Sequence, residues 1–215
     1  MLFISYIFLL QIILPLSALL MQCAVFKLSR ISVFTIRIFS GKPIKSFNLG
    51  PSTVLVGWLP TSSAVEYDVG EFSSRPLLSR LLLASVDVIV WILFALAILG
   101  ASSTWHHCLT GMDQILQGVL HPLTIAPKLI GQLETVFLNS SISAAGIFCC
   151  KMIAFSLLPY GGFKTWQLAR QLVDPHDKSE KLMYVWAIMG TISFLLVHGW
   201  SLIVILVATG VIPRG

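Results

Sequence analysis

Hydrophobic positions in this chain run together in four long stretches separated by polar, charged segments. The first covers about residues 2–26 and is broken only by Gln11, Pro15, Ser17 and Gln22. The second covers about 77–100, with Asp87 as its one acid; the third, about 141–163, contains Lys151; the fourth, about 182–212, contains His198. Each supplies the roughly 20 apolar residues that a hydrocarbon core about 30 Å thick requires of a spanning helix. The pattern therefore predicts an all-α integral membrane protein, a single domain over residues 1–215 with four transmembrane helices. The first stretch is too long for the apolar region of a typical signal peptide, and no small-residue cleavage pattern closes it, so it reads as a helix that stays. A shorter apolar run, Leu129 to Leu138, is interrupted by Glu134 and predicts a surface or partly inserted helix.

The segment between the first two stretches has a different texture. Residues 31–39 (ISVFTIRIF) and 53–59 (TVLVGWL) are β-branched and aromatic, with Gly41, Pro43 and the pair Gly50-Pro51 between them. Two strand-like runs around a turn predict a hairpin over about 31–60. Its apolar character places it at the membrane edge, where irregular backbone is tolerated only when buried. The competing reading is an amphipathic loop lying on the membrane surface.

Composition agrees with the pattern. The chain is 56% hydrophobic and 11% charged, with a mean hydropathy of +0.89, whereas soluble domains carry about 25% charged residues. A surface so poor in charge points to the lipid bilayer as the main partner. The net charge of +5 matters less than its placement, because no acid precedes Glu66. The loop after the first stretch holds Lys27, Arg30, Arg37, Lys42, Lys45, Arg75 and Arg80; the next holds Lys128 against Asp113 and Glu134; the third holds Lys164, Arg170, Lys178 and Lys181. An excess of Lys and Arg marks cytoplasmic loops, which puts both termini on the non-cytoplasmic side. Basic residues that sit beside membrane segments, and not on a soluble face, argue against a nucleic-acid partner. Cys23, Cys108, Cys149 and Cys150 form neither a C-x-x-C pair nor a zinc spacing, and no disulfide framework is expected.

The order of features resembles the site-2 protease family of intramembrane zinc metalloproteases over about residues 10–212. An apolar helix is followed by a basic, strand-forming loop, then "GWLPTSSAVEYD" and "FSSRPLLSRLLLASVDVIVWILFALAIL", and later "AFSLLPYGGFKTW" and "SEKLMYVWAIMGTISFLL". Phe72, Arg75, Pro76 and Arg80 match the family's lead into its second core helix, and Leu158, Pro159, Gly161 and Gly162 match its leucine-proline and aspartate-glycine-glycine motif. The resemblance implies a zinc site built from H-E-x-x-H on the first core helix and an aspartate on the third. This sequence departs from both. The matching window, Ala18 to Gln22, reads A-L-L-M-Q, so Ala18, Leu19 and Gln22 stand at the degenerate positions. Tyr160 stands where the aspartate belongs, and the first histidine in the chain is His106. Without the metal, water keeps a pKa of about 15.7 instead of about 7, and no hydroxide forms at neutral pH. The expectation is a pseudo-protease with no metal, no cofactor and no catalytic residue.

Five residues are expected to serve structure or partner binding. Asp87, Lys151 and His198 lie within apolar stretches, where ionisable groups are costly and face a bundle or a partner. Asp87 lies about 10 Å beyond Arg80 at 1.5 Å per residue, and one expectation pairs it with Lys151 as a staple in place of the metal; the other has it hydrogen-bonded locally. Gly161 and Gly162 allow close backbone approach without any catalytic role. His106, His107 and Cys108 are read as interfacial polar residues beside Trp105, since neighbouring helical positions diverge too far to share a metal. The function expected is that of a structural or assembly subunit of a larger hetero-oligomeric membrane complex, or a binder of a partner transmembrane helix. The alternative is a small transporter using Asp87, Lys151 and His198 as a proton or solute path, and an active metalloprotease ranks below both.

Overall fold

Where the chain folds follows closely from where its apolar side chains can hide. The computed structural model describes residues 2–59, 63–157, 168–169, 172–173 and 179–213. It divides into two units: one of Met1–Ile4, Trp91–Ala169 and Ser179–Gly215, the other of Ser5–Val90 and Arg170–Lys178.

The second of these units holds most of helix α1 (Leu2–Leu28). Leu10, Leu14 and Ala18, spaced four apart, are buried, while Phe8, Leu9, Ile13, Leu20 and Met21 are exposed. Residues four apart share one helical face, so the buried stripe meets protein and the remaining apolar faces do not. The helix stops at a Schellman turn. Ile31 N–H donates to the Phe26 carbonyl (2.9 Å) and Arg30 N–H to that of Lys27 (3.1 Å), with Arg30 at φ 54°. The apolar contact that accompanies this turn is made by Phe26 and Ile31, which share a buried cluster with Phe72 and Leu83. The Tyr67 ring stands edge-on to Phe26 at 4.9 Å and 5.0 Å from Phe72. Phe72 belongs to the short helix α2 (Val69–Ser73), which Asp68 caps by accepting the Glu71 N–H at 2.9 Å.

The expectation of an all-α fold is overturned by a four-stranded mixed sheet in this unit, ordered β2-β3-β1-β4. Its strands are β1 (Val33–Ile38), β2 (Ser40–Leu49), β3 (Ser52–Leu59) and β4 (Ala64–Tyr67). The two runs expected to form a hairpin, β1 and β3, are neighbours but run parallel, with Ile36 opposite Val54. The hairpin is instead β2 with β3, turned at Gly50 (φ 61°), and β4 pairs antiparallel with β1. The physical reason lies in β2, whose Gly41 and Pro43 read as turn residues. Proline lacks the N–H of a sheet ladder but is tolerated on an edge strand, and β2 is an edge. Positive φ at Phe39 (67°) and Gly41 (84°) accompanies the irregular pairing at the start of β2.

The other unit is helical. After α3 (Leu77–Ala84), helix α4 (Val86–Leu120) is broken at Gly100, whose φ 75° and ψ 170° are not helical. Helix α5 (Pro122–Asn139) packs on α6 (Ser141–Leu157) and α7 (Glu180–Ala208). The run at Leu129–Leu138 is thus part of a longer helix that starts on Pro122, where a missing N–H costs nothing. Contacts between α4 and α6 advance together along both helices: Gly146 meets Ile98 and Leu99, Cys150 meets Thr104, and Ala154 meets Gly111. The two helices therefore run in the same direction. Ala144, Ala145, Gly146, Cys149, Cys150 and Ala154 are all buried, and such small residues let helix backbones approach closely.

The four expected spans also need correction. Among the described residues, two helices are long and apolar enough to cross a membrane, Leu2–Leu28 and Val86–Gly118. The second expected span is divided at Ser85, where α3 ends (φ −102°, ψ 7°), and its apolar course continues past Gly100. In the third region 17 residues, Ser141–Leu157, are helical, and the remainder of the expected span, 158–163, lies outside the described residues. In the fourth region α7 is helical over 29 residues, with Met183–Ile192 an apolar segment within it.

Candidate functional site

The window that the resemblance marks on α1 is dry. Ala18 and Leu19 are each 3% exposed and Gln22 is half-buried. Ala18 continues the buried stripe of Leu10 and Leu14, so its apolar side chain does the packing work of an ordinary helix face. The matching position on the other side of the motif, Tyr160, lies outside the described residues, as do Gly161 and Gly162. Among the described residues no group of three His, Cys, Asp or Glu side chains is placed to hold a metal ion.

The lead residues ahead of α3 are well defined. Phe72 is 1% exposed in the aromatic cluster. The Arg75 guanidinium donates through Nη2 to the Ser29 carbonyl at 2.5 Å, tying the lead to the end of α1. Arg75 Nε and Arg80 Nε and Nη1 are buried with no hydrogen-bond partner among the described residues. Buried donors of a charged group are costly when unpaired.

Asp87 sits in the first turn of α4, and its Oδ1 accepts the N–H of Val88 at 2.9 Å. A carboxylate is favoured at a helix N-terminus, where free N–H groups and the helix dipole meet it. Lys151, half-buried on α6, donates from Nζ to Gln114 Oε1 of α4 at 2.5 Å. Gly111 makes room for that reach: a β-carbon there would stand 3.2 Å from both Lys151 Cδ and Ala154 Cβ. The partner of Lys151 is thus a neutral amide in the segment between the second and third apolar stretches, a residue the sequence reading did not single out. Its signal was present but unweighted, because Gly111, Gln114 and Ile115 share one helical face only if residues 101–120 are helical. His198 falls within α7, but its side chain lies outside the described part. His106 and His107 stack edge to face at 5.5 Å on the outer turn of α4, and Thr110 Oγ1 donates to the His106 carbonyl at 2.9 Å. Cys149 and Cys150 are fully buried, and the Cys150 thiol donates to the Thr104 carbonyl at 3.7 Å.

The described residues therefore offer a packed helical seam bridged by the Lys151–Gln114 and Cys150–Thr104 hydrogen bonds, not a cleft lined by convergent reactive groups. No family model matches this chain, and no characterised protein or solved structure does so.

Proposed function

We propose that this chain is a membrane-anchored, catalytically inactive relative of the site-2 proteases that serves as an assembly subunit or holds a partner's transmembrane helix. The observation that carries the reading is the α1 window. The order of motifs from the basic loop to the last helix resembles the family, while the ligand positions hold Ala18, Leu19 and Gln22. Two long apolar helices support a membrane setting. Exposed Phe8, Leu9, Ile13, Leu93 and Phe94 extend that support, since large apolar faces persist only against lipid or another protein. The excess of basic residues from Lys27 to Arg80 puts the loop after α1 on the cytoplasmic side.

The test is extraction in a mild detergent, followed by native sizing, identification of co-eluting proteins and metal analysis. The expected result is defined partners in fixed ratio and far less than one zinc per chain. Elution of the chain alone sinks the subunit reading, and stoichiometric zinc sinks the pseudo-protease reading.

A further inference from the structure

The sheet separates its chemistry by face and by edge. Antiparallel partners and alternate residues of a strand share a face, so Phe47 lies with Val54, and Val54, Val56 and Trp58 point the same way. Ile36 and Val65 pair onto that face from β1 and β4. The opposite face is more polar, with Thr35, Arg37, Thr53 and Glu66 beside Leu55 and Ala64, and Arg37 reaches Glu66 at 4.0 Å. The apolar face is covered in the middle, where Val54 is 2% exposed, but open at the β2 side, where Phe47, Leu49 and Trp58 are 44%, 62% and 62% exposed. Ile44 on the same strand is 71% exposed. The Trp58 indole lies over Gly41 of β2, so close that a β-carbon there would collide with Nε1.

Charge is sorted in the same direction. Lys42 and Lys45 are exposed on β2, and residues 1–65 contain no acid. The first acids are Glu66 on β4, at the far edge of the sheet, and then Asp68 and Glu71, which cap α2 and hold Ser32. The β2 edge is therefore apolar and aromatic with a purely positive rim. Tryptophan prefers the boundary between headgroup and hydrocarbon, and lysine lays its stem on apolar surface while its ammonium reaches outward.

We infer that the β2–β3 hairpin docks on anionic lipid headgroups, with Phe47, Leu49 and Trp58 at the acyl boundary and Lys42 and Lys45 on the phosphates. The inference rests on the membrane reading above and adds a lipid preference to it. Charge complementarity selects the occupant, because a zwitterionic surface offers the lysines no net attraction. Each lysine near an anionic surface contributes about a factor of five, so the pair sets a preference of roughly 25-fold.

The full chain in nanodiscs of phosphatidylcholine alone, or with phosphatidylglycerol added, tests this by backbone hydrogen exchange. The expected result is exchange of residues 42–49 slowed by up to roughly 25-fold in the anionic discs, with the difference lost in Lys42→Gln/Lys45→Gln and reduced by high salt. Equal exchange in both discs overturns the inference. So does slowing that survives the double substitution, or that appears only when an acidic protein is bound. The α1 amides serve as the separate readout: free exchange there in both discs means the membrane reading itself has failed.

Discussion

At the scale of single residues, Arg30 is the position most at odds with its backbone. It occupies the left-handed residue of the turn that ends α1, at φ 54°, a place that glycine fills in most helices. A side chain there crowds its own carbonyl by about 1–2 kcal/mol. Arg30→Gly is therefore expected to stabilise the protein by about 0.5–1 kcal/mol after glycine's extra chain entropy is subtracted. Thermal unfolding in detergent checks it. A loss of stability would mean that the arginine makes a contact worth more than its strain. Arg30 also shows why helix ends are hard to read: the stop depends on Phe26 and Ile31 meeting in one cluster, and no glycine announces it.

At the scale of elements, the α4–α6 seam carries two predictions. Gln114→Leu removes the acceptor of Lys151 and leaves its ammonium unpaired in a half-buried seam, at a cost of about 1–3 kcal/mol. Adding Lys151→Met to Gln114→Leu should recover most of that loss, and a double-mutant cycle reads the coupling directly. Simple additivity would show that the link carries no energy. Gly100 supplies the sharper test, because the sign discriminates. In an unbroken helix, glycine to alanine stabilises by about 1 kcal/mol. At φ 75° and ψ 170°, with no neighbour within 4 Å of an added β-carbon, only backbone strain acts, and Gly100→Ala is expected to destabilise by about 1–3 kcal/mol. Denaturant unfolding decides between a real break and a continuous helix.

At the scale of the whole molecule, some features were readable in the sequence and others were not, for physical reasons. The strand character of residues 31–39 and 53–59 was visible because β-branched runs state a local preference. Their parallel pairing was not, because pairing is a choice among partners that no local run encodes. The strand β2 was hidden by Gly41 and Pro43, whose local meaning is a turn and whose meaning on an edge is compatible with a strand. Counting apolar runs gave four spans, whereas the second of them is divided at Ser85 and its apolar course runs on past the break at Gly100 into residues 101–120. At the window of α1 that the resemblance marks, the reading A-L-L-M-Q in place of H-E-x-x-H was legible outright, since the identity of a side chain is the sequence. The Lys151–Gln114 link was not, because it depends on two helices lying side by side.

The edge strand has one further consequence. An open sheet edge is a template on which another chain can extend the ladder, and proteins guard such edges with lysine, proline and bulges. The β2 strand carries all three: Lys42 and Lys45, Pro43, and shifts in register on either side of Pro43. A neighbouring molecule finds the row of donors interrupted in the first half of the strand, before Lys45. Fibrillar growth and capture of an extended peptide are both disfavoured along this border.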